Sequence, residues 1–429
     1  MATRMLWLAL LVLGAPAALA QDDDWDDDWD DEAALPVELH GVVEVGTASR
    51  LVDDATQPGD FVMNEARFRL DLEHLTDRAD LRFEGDVIAD EVTERIDLDI
   101  RQALVALQPG SAVALRLGRQ VMTWGTGDLL FLNDLFPKDF VAFFIGRDDE
   151  FLKAPANAVR ATVYNPVANL DVAWMPRFTP DRTLTGERLS FFDPISGQRV
   201  GTETLDAPID PLRPDATLGH GEVAVRVYRT LGSVEAALYG YTGFTKQPLA
   251  FDATTGTPTY APLSVLGASL RGELAGGISQ AEVAYYDSRD DRDGTDPFTP
   301  NSQLRGLVGH ERELATNLTL GVQYYLEHTR DHDALIAGSF APEVEPSETR
   351  HVVTSRWTYL LRQQTVVLSL FAFVSPNDGD GYVRPFVQHQ WSDAVTFTLG
   401  GNLFFGAAPT FFGQLADNTN AYARVRYSF

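Results

Sequence analysis

Charged side chains in this chain recur at every second position. Arg67, Arg69, Asp71 and Glu73 alternate with Phe68, Leu70 and Leu72, and Arg82, Glu84 and Asp86 alternate with Phe83 and Gly85. Asp97, Asp99 and Arg101 do the same with Ile96, Leu98 and Ile100, while Arg116, Glu222, Arg226, Arg424 and Arg426 fall in further runs of that period. A period of two puts one face of a strand in apolar surroundings and the other in polar surroundings. If the apolar face meets lipid, the charged face lines a hydrated interior, because so many charges of both signs could not be buried dry. Lys138, Lys153 and Lys246 are the only lysines, so arginine supplies nearly all the positive charge. Such a wall has two uses: its charges pair across strands and stiffen it, or they act on a passing solute. Mixed signs close together set no preference for anions or cations.

No catalytic constellation accompanies these charges. The sequence has no G-x-S-x-G and no P-loop, and His310-Glu311-Arg312-Glu313 does not continue into H-E-x-x-H. The eight histidines (40, 74, 220, 310, 328, 332, 351 and 389) are scattered and read as wall or loop residues. Asp287, Asp290, Asp291, Asp293 and Asp296 cluster around Gly294, and Asn377-Asp378-Gly379-Asp380 forms a second acidic group. Neither follows the ligand order of a calcium loop, so both read as solvated turns. The expectation is no catalytic residue, no metal site and no cofactor.

The elements that must position the charges are strands. Alternating runs are expected near 36–49, 61–75, 80–91, 95–107, 112–124, 156–166, 169–179, 220–231, 233–246, 260–274, 278–289, 303–315, 318–329, 349–362, 365–375, 381–391, 395–405 and 419–429. Tight breakers such as Gln108-Pro109-Gly110-Ser111 and Leu231-Gly232-Ser233 take turns with long polar links such as 181–218 and 331–347. Tight turns on one rim and long loops on the other describe a barrel in a membrane. The expected fold class is therefore all-β: one transmembrane, antiparallel, up-and-down β-barrel of about eighteen strands. Closed hydrogen bonding is what survives in hydrocarbon without helices. An even strand count puts both ends of residues 36–429 on the periplasmic side.

One link breaks the alternating pattern. Residues 126–155 cluster Leu129 to Leu132 and then Phe140, Val141, Phe143, Phe144 and Ile145, with charges at Asp128, Asp134, Lys138, Asp139, Arg147, Asp148, Asp149 and Glu150. A membrane helix is excluded by Asn133, Asp134, Pro137, Lys138 and Asp139 in its middle. A surface loop would expose Phe131, Phe136, Phe140, Phe143 and Phe144 as one apolar patch. The third long-side loop folded into the barrel, partly helical, buries those rings and lets the charges address the lumen. Phe140, Phe143, Phe144 and the eight charged residues are accordingly the constriction candidates. Whether the loop narrows or seals the lumen stays open.

Arg4, the apolar run Met5–Leu13 and Ala18-Leu19-Ala20 have the layout of a secretory signal peptide over 1–20. Residues 21–35 form an acidic tail with nine acids in Asp22–Glu32 around Trp25 and Trp29; it reads as a solvated segment, with divalent-cation binding or docking to a periplasmic partner as the alternatives. There is no cysteine, so disulfides and thiol chemistry are excluded. A net charge of −28 argues against nucleic acid. The expected surroundings are outer-membrane lipid, lipopolysaccharide and the barrel-assembly machinery.

Two stretches carry a family resemblance. Tyr427-Ser428-Phe429 closes an alternating strand on an aromatic terminus and resembles the assembly signal of bacterial outer-membrane barrels. Leu115-Arg116-Leu117-Gly118-Arg119-Gln120-Val121-Met122-Thr123-Trp124-Gly125 resembles the L-x-[VL]-G-R-Q-x-x-x-W-G stretch of porin-like outer-membrane proteins, including the alginate-export type. The resemblance implies a passive or substrate-specific channel for small solutes in the bacterial outer membrane. A route for a hydrophobic or lipid-like molecule is the alternative raised by the phenylalanine-rich loop. A structural or adhesion barrel with binding loops is a third.

Overall fold

Lipid-facing and lumen-facing residues alternate along strands long enough to cross a bilayer, and the chain closes them into a ring. The computed structural model describes residues 37–76, 79–193 and 196–429; the expected signal peptide and acidic tail lie outside the described residues. The first seven strands are β1 (Glu38–Arg50), β2 (Phe61–Leu75), β3 (Ala79–Asp90), β4 (Arg95–Gly110), β5 (Val113–Val121), β6 (Pro155–Val163) and β7 (Asn169–Met175). After a loop hairpin, β8 (Phe191–Asp193) and β9 (Gln198–Val200), come β10 (Glu222–Leu231) and β11 (Val234–Phe244). A second loop hairpin, β12 (Ala250–Phe251) and β13 (Pro258–Thr259), precedes β14 (Pro262–Leu274), β15 (Gly277–Ser288), β16 (Gln303–Ala315) and β17 (Leu318–Thr329). The last five are β18 (Thr349–Leu361), β19 (Val366–Ser375), β20 (Asp380–Gln390), β21 (Val395–Phe405) and β22 (Asn420–Ser428).

Eighteen of these form one antiparallel sheet, with β8–β9 and β12–β13 as separate hairpins. The ring closes where β1 pairs with β22 from Val42↔Ser428 to Arg50↔Asn420. Gly41 and Phe429 exchange both backbone hydrogen bonds at 2.9 and 3.0 Å, so the terminal aromatic residue sits in the closing seam. Closure leaves no sheet edge between first and last strands.

Burial is inverted relative to a water-soluble protein. Leu98 (68% exposed) and Leu266 (70%) face outward, whereas Asp86 (0%) and Arg67 (3%) are buried within the ring. This matches the expected lipid face and polar interior. On the rim bearing the long loops, two links are short, Glu91–Glu94 and Pro376–Gly379, and residues 122–154 form the third link.

The sequence pattern overshoots the hydrogen bonding by three or more residues in three strands, and β6 ends at Val163 rather than near 166. β5 ends at Val121 rather than near 124, although Met122 and Trp124 continue the inward register and are buried. β7 ends at Met175 rather than near 179. In β4 the register shifts between the partners of Glu84 and Gly85, so Arg101 occupies a bulge. Arg101 keeps its inward place there, and Ala103 beyond it turns outward.

Candidate functional site

The third link crosses the lumen instead of leaving it. Its first half is fastened by Glu282 of β15, whose carboxylate accepts from the Thr126 amide, the Thr126 hydroxyl (2.8 Å), the Gly127 amide (2.9 Å) and the Asn133 amide group (2.7 Å). Gln323 of β17 both donates to the Asp128 carbonyl (2.8 Å) and accepts from the Asp128 amide (2.7 Å). Tyr286 donates to the Leu132 carbonyl at 2.6 Å. One carboxylate thus satisfies several loop donors at once, in a region where an orphaned donor costs about 1–3 kcal/mol. Glu282→Ala is expected to loosen residues 126–133 by on the order of 3 kcal/mol. Limited proteolysis of the folded barrel would show new cleavage confined to this segment.

The second half turns on helix α1 (Phe140–Phe144), which Asp139 caps by accepting from the Ala142 amide at 2.8 Å. Phe143 and Phe144 pack on the wall: Phe144 lies 5.4 Å from Phe404, 5.9 Å from Tyr382 and 6.4 Å from Phe412, ring centre to ring centre. The Phe144 carbonyl accepts from Asn420 at 3.1 Å. Phe140 is half-buried against the same cluster. Burying each ring away from lumen water contributes about 1.5–3 kcal/mol, which holds the loop inward.

Beyond α1 a row of acids faces an arc of arginines. Asp148 caps a 3₁₀ turn over Asp149–Leu152, accepting from the Glu150 amide at 3.3 Å. Asp148 pairs with Arg424 (3.3 Å) and Arg426 (3.7 Å), Asp149 with Arg384, and Glu150 with Arg69 (3.1 Å) and Arg426 (3.3 Å). Arg101 donates to the Glu150 and Lys153 carbonyls at 3.0 and 3.3 Å. Arg147 pairs with Glu65 at 2.6 Å. On the other side Arg356 of β18 holds Asp128 at 2.5 Å and lies 3.9 Å from Asp149, joining the two ends of the loop. Phe151 lies under three guanidinium groups, those of Arg67, Arg101 and Arg69 at 3.9, 4.9 and 5.0 Å from its centre.

Behind this row the wall balances itself. Asp86 bridges Arg67 and Arg69 at 2.7 and 2.8 Å, Glu84 takes Arg101 at 3.0 Å, and Glu44 takes Arg426 at 2.8 Å and Arg424 at 3.3 Å. The carboxylates of Asp128, Asp149 and Glu150 remain 39, 42 and 37% exposed, so lumen water reaches them. Burial would raise the Asp148 carboxyl, but the charges of Arg424 and Arg426 outweigh it and hold the group below the usual carboxylate range. The result is a charged eyelet with acids on the loop and arginines on β2, β4, β18, β20 and β22.

Of the sequence candidates, Asp128, Arg147, Asp148, Asp149, Glu150, Arg67, Arg69, Glu84, Asp86, Arg101, Arg424 and Arg426 are brought together here. Glu73 and Arg82 pair with each other at 2.7 Å nearer the turn rim, and Arg226 pairs with Glu235 at 2.5 Å on another part of the wall. Asp71 lies half-buried opposite Glu84, and Arg116 and Asp97 are exposed. Asp99 belongs to a different contact, with Arg182 at 2.8 Å. Tyr427 and Phe429 stack with each other at 6.0 Å at the barrel seam.

Three expected pore charges do not address the lumen. Lys138 is buried on Asp134 (3.0 Å), the Phe136 carbonyl (2.7 Å) and the Phe131 ring, and Asp134 also accepts from Thr123 (2.7 Å). Asp139 is taken by its cap and by Arg182 at 3.1 Å. These groups stitch the loop to itself, since a charge in this packed interior must find a partner. The phenylalanines likewise face the wall. Arg356, Arg384, Glu44, Glu65 and Glu282 join the site beyond the expected residues, each in the inward register of its strand. Single charges within apolar runs carry a weak signal, and strand parity is what identifies them.

Asp181, in the link after β7, accepts from the Lys138 amide at 2.8 Å, while its own amide donates to the Lys246 carbonyl at 2.9 Å. Burial pushes its carboxyl up to about 6 against the pull of Lys138 and Lys246, with Asp134 adding to the rise. A carboxyl raised on docking favours docking at low pH, and that contribution is lost as pH climbs from its undocked value near 4 through about 6. The difference amounts to about 3 kcal/mol. Amide exchange over 181–188, corrected for intrinsic rates, should slow on going from pH 7.5 to pH 5, and Asp181→Asn should abolish the change.

No family model matches the chain, and no curated protein sequence matches it. Solved structures do. OccK11 of Pseudomonas aeruginosa superposes with a TM-score of 0.54 at 9% identity, covering 92% of this chain and 96% of that one. The fold is that of bacterial outer-membrane porin-type barrels. OccD3 of Pseudomonas aeruginosa gives 0.53 at 9% identity over 92% and 91% of the two chains. OccAB1 of Acinetobacter baumannii gives 0.52 at 10% over 92% and 96%. At these identities the likeness is one of backbone architecture, and the side chains of the eyelet are this chain's own.

Proposed function

We propose that this barrel is a passive channel for small polar solutes in the outer membrane, narrowed by residues 126–155. The observation that carries the reading is the docked third loop. Its rings are buried on the wall, and its carboxylates, though reached by water, are paired directly with wall arginines. A solute passing there exchanges hydration for fixed charges of both signs, which orients dipolar and zwitterionic molecules without binding them tightly. The mechanism is diffusion down a gradient, with the eyelet setting size and charge preference. Kinship with alginate-export-type channels rests on Leu115–Gly125, and a polar, charged lumen suits a hydrophilic cargo.

The phenylalanine-rich loop no longer motivates an axial route for hydrophobic molecules, because Phe143 and Phe144 are buried. Swelling of vesicles containing the purified barrel tests the proposal. Glycine and small sugars should enter at rates that fall with size. Vesicles that swell no faster than protein-free ones would overturn it.

A further inference from the structure

The wall is not laddered evenly. β4 pairs with β3 along its length, from Asp90↔Arg95 to Ala79↔Leu107. Its pairing with β5 begins only at Ala103↔Arg119 and runs from there to the turn. Beyond Arg119, β5 pairs only with β6, at Gln120↔Ala156 and Val121↔Pro155, and the chain then enters the lumen. Residues 95–102 of β4 therefore have no strand paired to them on that side, over a length of about 25 Å at ~3.3 Å per residue.

Side chains occupy the place of the missing ladder. Arg119 Nε donates to the Ile100 carbonyl, and its guanidinium lies 4.0 Å from Asp99. Because the Ile100 carbonyl points at the gap, the two-residue period aims the peptides of Leu98 and Ile96 there as well. Arg182 clasps Asp99 with two bonds of 2.8 and 2.9 Å and also reaches Asp139 at 3.1 Å. Farther out, Glu187 of the same link pairs with Arg95. On the lipid side Ile96 and Leu98 are 77 and 68% exposed. Arg119 and its row partner Asn157 stand in the lipid-facing register. An unladdered edge in hydrocarbon is costly unless protein or a cavity serves it. Here it is closed by ion pairs that a displaced loop would release.

We propose that the outer half of the β4–β5 wall is a lateral seam through which an alkyl chain with an anionic head group passes between lumen and outer leaflet. Arg119 and Arg182 receive the head, and Ile96 and Leu98 flank the tail. Asp99 is the internal anion that the head displaces from Arg182. Residues 181–187 of the link after β7, carrying Arg182 and Glu187, act as the latch. This route is additional to the axial one, and its failure leaves the eyelet reading untouched.

The test is photolabelling of the full-length barrel in phosphatidylcholine vesicles with a diazirine-bearing dodecyl sulfate, mapped by mass spectrometry. Passage predicts label on both sides of the seam, on 95–102 outside and on 138–140 and 181–183 inside. Arg119→Leu should cut that labelling about tenfold, the effect of losing one charge-assisted contact. Glu187→Gln, which frees the latch from Arg95 and leaves both receiving arginines in place, should raise it, a change of opposite sign to that of Arg119→Leu. Label spread evenly round the lipid face, label confined to the outer face, or complete displacement by added phosphatidylglycerol (a resident-lipid anchor only) would each overturn the proposal.

Discussion

Replacing Asp148, Asp149 and Glu150 together by Asn, Asn and Gln is expected to make the channel prefer anions. The three carboxylates face Arg69, Arg384, Arg424 and Arg426 directly, and Arg356 stands 3.9 Å from Asp149. Glu84, Asp86 and Glu44 behind them are already committed to Arg101, Arg67, Arg69 and Arg426. Removing the front row therefore leaves a surplus of guanidinium groups where the loop meets the wall. A field of one sign in a low-dielectric passage changes the local concentration of counter-ions by about tenfold or more, less as salt rises. The zero-current potential across a bilayer under a potassium chloride gradient should move toward the chloride limit, most clearly below about 0.1 M salt, where screening extends over ~10 Å. An unchanged potential would mean that ions do not pass beside these charges.

Phe144→Ala should have the largest effect on the loop itself. The ring contacts Phe140, Phe143, Tyr382, Phe404 and Phe412, and truncating a buried phenylalanine costs about 3–5 kcal/mol. The barrel ladder does not pass through this residue, so the strands should remain assembled while the segment around α1 comes loose. Recordings of single channels should show higher mean conductance with frequent steps between levels, and amides of 140–152 should lose protection. The Asp149–Arg384 and Glu150–Arg69 pairs oppose release but are only partly desolvated, and pairs of that kind contribute less than the ring.

The wall was the most legible part of this molecule. Alternation in runs such as Arg67–Glu73 reports two different solvents on the two faces, and nothing in a barrel interrupts that report except a bulge such as the one at Arg101. The inward course of the third loop was legible for a similar reason, since its phenylalanines had to leave water. Its charges were harder to place. Asp134, Lys138 and Asp139 have the same residue types as Asp148, Asp149 and Glu150, and only tertiary packing separates stitches from lumen-facing acids. The end of the β4–β5 ladder was illegible because Met122 and Trp124 keep the strand's alternation after its hydrogen bonds have stopped. Arg119 was the available clue: it stands in the lipid-facing register within the Gly118-Arg119-Gln120 motif, where Gly118 takes a φ of 126° and lies against the Ala103 carbonyl.

The most direct test of the central claim compares the intact barrel with one lacking residues 128–150, both as single channels in a planar bilayer. An eyelet predicts resolved steps for the intact protein that scale with salt, and a several-fold larger conductance after the deletion. An intact barrel that is silent until the segment is removed would identify a seal, and equal conductance in the two would contradict a constriction at this loop.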